Sequence, residues 1–172
     1  ANQTLLRYMA QGAVAYAAIY FVKGTANIGT TAGNTFGSSG TTGSITLAIQ
    51  KSGSSYRNYL HMIRYEGANT TIQNNTMGSI SLAHVAGSAG GDVLNLNLIH
   101  VVPNSTTANI TISNNTIGST TTASSIQTTG SATQLYKVIR GITVTPSGSY
   151  DITVSNNTIA NIDMTNIRSN TV

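Results

Sequence analysis

The sequence predicts an all-β solenoid, a parallel β-helix of about four coils with three strands in each. The first observation is a phrase that returns at nearly constant spacing: Asn34-Thr35-Phe36-Gly37, Asn75-Thr76-Met77-Gly78, Asn115-Thr116-Ile117-Gly118 and Asn157-Thr158-Ile159-Ala160. Its leading asparagines are 41, 40 and 42 residues apart (75−34, 115−75, 157−115), a self-similarity that marks stacked repeat arrays. The second observation is an alternation of apolar and polar residues before the asparagines, the period of a strand with one buried face. The third is composition: 27 Thr, 19 Ser, 18 Asn and 17 Gly stand among 172 residues, 7% are charged, and Cys and Trp are absent. Small hydroxyl and amide side chains suit ladders on a rigid stack better than the surface of a soluble globule.

Along one repeat, the first predicted strand is an apolar run ending in a basic residue. It reads Ala18-Ile19-Tyr20-Phe21-Val22-Lys23, Tyr59-Leu60-His61-Met62-Ile63-Arg64, Leu94-Asn95-Leu96-Asn97-Leu98-Ile99-His100 and Leu135-Tyr136-Lys137-Val138-Ile139-Arg140. A variable stretch follows, longest where it carries Pro103 and Pro146, as expected of a surface turn. The second strand is clearest at Ile110-Thr111-Ile112-Ser113 and Ile152-Thr153-Val154-Ser155. Three residues before each reference asparagine stand Thr31, Ile72, Ile112 and Val154, an aliphatic column broken in the first copy. The third strand resumes at Phe36, Met77, Ile117 and Ile159. Approximate repeats are residues 1–40, 41–81, 82–121 and 122–163, with 164–172 opening a further coil. Neither end reads as a cap, which suggests a segment of a longer chain or the subunit of a filament.

Between the second and third strands the chain must turn, and asparagine tolerates the left-handed conformations of sharp bends. Asparagines at one position of successive coils stack at the strand spacing of about 4.8 Å, where each amide can donate to and accept from the next. A structural ladder is therefore expected over Asn34, Asn75, Asn115 and Asn157, together with the preceding Asn74, Asn114 and Asn156; Gly33 holds that second place in the first copy. A looser column of Asn69, Asn109 and Asp151, interrupted by Ile28, makes Asp151 a corner residue rather than a catalytic one.

The Ile-Thr-Val-Ser-Asn-Asn-Thr-Ile phrase and the run Gln134-Leu135-Tyr136-Lys137-Val138-Ile139-Arg140-Gly141-Ile142-Thr143-Val144 resemble right-handed parallel β-helix repeats, specifically the Thr/Ser/Asn-rich repeats of large exported surface proteins of Bacteroidota. The resemblance implies a right-handed parallel β-helix in an extracellular or cell-surface setting. It covers the second, third and fourth copies better than the first. It leaves function open, because such solenoids carry enzymes, adhesins and inert stalks alike.

The chemistry available is limited. The acids Glu66, Asp92, Asp151 and Asp163 occupy different phases of the repeat, so no pair forms for glycoside cleavage. His61, His84 and His100 single out no nucleophile. No catalytic residue, metal or cofactor is assigned. A polysaccharide lyase or hydrolase would need Asp151 or Asp163 beside a second acid. One column suggests binding: Lys23, Arg64, His100 and Arg140 close the first strand of each repeat, and with a net charge of +4 such a stripe would attract an acidic polysaccharide. Basic residues are too few, and lack an aromatic platform, for nucleic acid. The apolar run from Ala13 to Val22 is too short for a membrane span, which takes about 20 residues, and reads as strand. The preferred function is a structural extracellular module, a rigid rod or filament extended by edge-to-edge β stacking, either with flanking repeats or end to end with other copies. An adhesin that binds polysaccharide is the alternative.

Overall fold

The computed structural model describes residues 14–49, 57–84, 92–129 and 135–164, which are all-β. The chain passes through four coils. Coil 1 holds β1 (Val14–Phe21), β2 (Ala26–Ile28), β3 (Thr35–Gly37) and β4 (Ile45–Ile49). Coil 2 holds β5 (Arg57–Tyr65), β6 (Thr70–Gln73), β7 (Thr76–Gly78) and β8 (Ile80–His84). Coil 3 holds β9 (Asp92–Val101), β10 (Thr107–Ser113), β11 (Thr116–Gly118) and β12 (Ile126–Thr129). Coil 4 holds β13 (Leu135–Val144), β14 (Ser149–Ser155), β15 (Thr158–Ala160) and β16 (Ile162–Asp163).

Corresponding strands pair in parallel, giving four sheets of four strands: β1-β5-β9-β13, β14-β10-β6-β2, β15-β11-β7-β3 and β16-β12-β8-β4. The expected three strands per coil is thus corrected to four. The fourth strand does carry an alternating pattern, as in Ile80-Ser81-Leu82. Variable linkers separate it from the asparagine phrase: coils 2 and 4 use only Ser79 and Asn161, whereas coils 1 and 3 use residues 38–44 and 119–125. Residues 14–21 of the apolar run form β1, and no helix among the described residues is long and apolar enough to cross a membrane.

Register follows burial. Ile28, Ile72, Ile112 and Val154 stack in the second sheet, and Phe36, Met77, Ile117 and Ile159 in the third. Ile28, not Thr31, therefore fills the aliphatic column of coil 1, and the three extra residues of that copy sit at the corner. A one-residue slip would turn every aliphatic outward, so hydrophobic burial fixes the pairing. Inside the stack Ile72, Met77, Ile112 and Ile117 are fully buried.

Pairing in the first sheet is interrupted at one position in every coil. Pairing runs through Ala17, His61, Asn97 and Arg140, skips one residue, and resumes at Ile19, Ile63, Ile99 and Ile142. The skipped positions are Ala18, Met62, Leu98 and Gly141. Met62 and Leu98 are buried, and a Cβ at Gly141 would point at Ile159 Cδ1. In coils 2 and 3 the interruption sets two buried residues in succession, Met62-Ile63 and Leu98-Ile99, and shifts the in-out alternation by one, whereas Ala18 of coil 1 is exposed.

Candidate functional site: the asparagine corner and the outer row of the first sheet

The corner is built from backbone chemistry. Asn74, Asn114 and Asn156 have φ of 60°, 57° and 53°, the left-handed region that asparagine tolerates better than most residues. Turning there aims the next residue's amide along the stack. Asn34 Nδ2 donates to Asn75 Oδ1 at 2.8 Å, Asn75 Nδ2 to Asn115 Oδ1 at 2.9 Å, and Asn115 Nδ2 to Asn157 Oδ1 at 2.9 Å. The same oxygens accept from the backbone N–H groups of Asn34, Asn75 and Asn115 at 3.1, 3.0 and 3.0 Å. The remaining amide hydrogen turns back, as from Asn115 to the Ile72 carbonyl at 2.9 Å and from Asn157 to that of Ile112 at 2.8 Å. Asn75 and Asn115 are fully buried, and the chain of bonds leaves their amides satisfied.

The two asparagine columns expected to act together do different work. Asn34, Asn75, Asn115 and Asn157 form the ladder. Asn74, Asn114 and Asn156 are exposed and make the bend, with Asn74 Nδ2 reaching the Gly29 carbonyl at 3.2 Å. Gly33 fits the first corner because a Cβ there would overlap the Asn74 carbonyl. The looser column is also in place: Asn69 Oδ1 accepts from Asn109 N–H at 2.9 Å, and Asn109 pairs with Asp151.

A second ladder precedes the fourth sheet. Ser79 Oγ donates to Ser44 Oγ at 2.7 Å and accepts from Ser44 N–H at 2.8 Å, while Ser79 N–H donates to Ser125 Oγ at 3.2 Å. Asn161 continues the file, its carbonyl accepting from Ile126 N–H at 3.3 Å. The sequence signal was a polar residue before Ile45, Ile80, Ile126 and Ile162, obscured by the same uneven linkers that hid the fourth strand.

The expected basic stripe is not one row. Arg64 pairs with His100, but Tyr20 and Thr143 occupy the flanking positions. Arg140 falls in the row of His61 and Asn97, and Lys23 lies beyond the end of β1. The basic residues were matched by their place at the close of the run, whereas the register is fixed by the aliphatics beneath. Arg64 forms an ion pair with Glu66, whose carboxylate also accepts from the Tyr20 hydroxyl at 2.9 Å. Burial pushes the Glu66 carboxyl up, but hydrogen bonds from Tyr20 and Arg64 outweigh it and hold it below the usual range. Arg140 donates to Asn95 Oδ1 at 3.0 Å.

Two histidines stack beside this pair. The His61 and His100 rings lie 5.1 Å apart, 20° from parallel, and both Nδ1 atoms are buried without a partner. His61 is 1% exposed. Burial, then the charges of His100 and Arg64, lower its pKa to about 4; burial and the neighbouring arginines lower that of His100. The arrangement keeps both rings neutral and apolar in behaviour at neutral pH.

The acids are dispersed. Asp151 is exposed on β14, and Asp163 on β16 accepts from the Ser124 hydroxyl at 3.0 Å. Among the described residues no three His, Cys, Asp or Glu side chains gather into a metal-binding group. No protein-family model, curated protein or solved structure matches the chain.

Proposed function

We propose that the chain is a structural module whose four sheets close into a right-handed β-helix, and that it forms part of a rigid rod or filament outside the cell. The observation that carries this reading is the unbroken asparagine ladder, in which each coil completes the hydrogen bonding of the one before. Right-handedness follows the general rule for crossover connections between parallel strands. A stack of this kind lengthens by adding coils, each about 4.8 Å tall, and edge-to-edge pairing is the means of growth. Low charge, no cysteine and abundant Thr, Ser and Asn support an extracellular setting.

Limited proteolysis tests the rod. Arg64 lies in the middle of the stack, half-buried and ion-paired, so trypsin leaves it uncut under conditions that digest the urea-unfolded chain within minutes. Rapid cleavage at Arg64 in the native protein would remove the reading. Electron micrographs of native material should show rods or fibres of uniform width.

A further inference from the structure

We infer that two straps from coil 3 pass over coil 2 onto coil 1 and lock these three coils into one cooperative unit, a device that goes beyond the rod reading and does not depend on it. The first strap comes from the uneven linkers. Coils 1 and 3 pass from the third strand to the fourth through residues 38–44 and 119–125, whereas coil 2 passes through Ser79 alone. The two long loops bulge past this short corner and meet. The Ser39 carbonyl accepts from Ser119 Oγ at 2.8 Å and from Thr122 Oγ1 at 3.0 Å, across 80 and 83 residues of chain. Ser119 Oγ also accepts from the N–H groups of Thr121 and Thr122 at 3.2 and 3.0 Å, which holds its loop in the reaching shape. The coil 2 corner is covered as a result. Ser79 is 0% exposed, and a Cβ on Gly78 would lie 2.7 Å from the Ser38 carbonyl oxygen of coil 1 and 2.8 Å from Ser125 Oγ of coil 3.

The second strap crosses the turn between the first and second strands. Coil 3 takes residues 102–106 there, and coil 2 the shorter 66–69. Asn104 N–H donates to the Glu66 and Gly67 carbonyls of coil 2 at 3.2 and 3.3 Å. Its side chain continues past them, Nδ2 donating to the Val22 carbonyl of coil 1 at 2.8 Å. In a solenoid whose repeats touch only their neighbours, stability is a sum of single coils and adjacent interfaces, and one coil can open by itself. Here coil 1 cannot part from coil 2 without also breaking hydrogen bonds to coil 3. The straps leave from two different turns, so coil 1 cannot tilt open about one while the other stays made. Coils 1 to 3 therefore open together, as one unit of local unfolding.

Native-state hydrogen exchange read by NMR tests it, with each strap cut in coil 3 and its loss read on coil 1 at the other strap. Thr122→Val removes one donor and keeps the shape of the side chain; Asn104→Ala removes the other. Thr122→Val should speed the exchange of Ala26 N–H, which is bonded to the Asn69 carbonyl, and Asn104→Ala that of Ile45 N–H, which is bonded to the Ser79 carbonyl. Each rise should be roughly threefold to tenfold, the usual effect of losing one hydrogen bond. Thr158 N–H, which ties coil 4 to coil 3 at the Asn115 carbonyl, should exchange as in the wild type. Thr122→Ser, which keeps the hydroxyl, should behave as wild type throughout. A distant coil 1 amide that does not respond overturns the inference, because coil 1 then opens independently of coil 3. An equal rise at Thr158 also overturns it, because the substitution then loosens the whole stack and not a three-coil unit.

Discussion

Asn75 and Asn115, 40 residues apart in the chain, share a side-chain hydrogen bond of 2.9 Å in the fully buried interior of the stack. Asn115 also accepts from Asn75 N–H and donates to the Ile72 carbonyl. Replacing it strands several buried groups at once.

Asn115→Ala is expected to destabilise the fold by roughly 3 kcal/mol or more, since each buried polar group left unpaired costs about 1–3 kcal/mol. Asn34→Ala, at an exposed end of the same ladder, should cost about 1 kcal/mol. Urea unfolding followed by circular dichroism checks the contrast. Equal losses at the two positions would mean that the ladder does not carry the stability assigned to it.

The bend makes a backbone prediction. Asn114 has φ of 57° and an exposed side chain, so Asn114→Ala should cost about 1 kcal/mol through left-handed strain, and Asn114→Gly should be close to neutral. Thermal unfolding of the two variants separates them.

Two glycines should behave in opposite ways. At Gly118, φ is 85° and a Cβ would overlap the Ala160 carbonyl, so Gly118→Ala should cost about 2 kcal/mol or more. At Gly141 the nearest obstacle is Ile159 Cδ1, 2.9 Å from a Cβ, the tip of an exposed side chain with room to give way. Gly141→Ala should therefore be neutral or stabilise by about 0.5 kcal/mol, because the unfolded chain loses freedom.

Stability should fall with acidification in a defined window. The His61 pKa drops from 6.5 unfolded to about 4 folded, so the unfolded chain binds the extra proton. Stability is then full above about pH 6.5 and declines as pH falls, levelling near pH 4 after a loss of roughly 2–3 kcal/mol. His100 contributes in the same direction. The depressed Glu66 carboxyl adds its loss below the ordinary carboxylate range. His61→Phe, which keeps a ring against His100, should flatten the upper part of the profile measured by urea titration from pH 7 to pH 4. An unchanged slope would mean that His61 does not control it.

By itself the sequence determined the period, the parallel coil, the strand-corner-strand unit around the asparagine pair and the aliphatic columns, because alternation and turn chemistry depend on near neighbours. Tertiary structure decided that four strands and not three make a coil, that Asn75 and Asn115 form the ladder while Asn74 and Asn114 bend the chain, and that Ile28 replaces Thr31 in the core. It also decided that Arg64 meets His100 and Tyr20 rather than Lys23 and Arg140. These are matters of register between segments some forty residues apart. Register is set by which aliphatics can be buried together, and that only the folded stack decides.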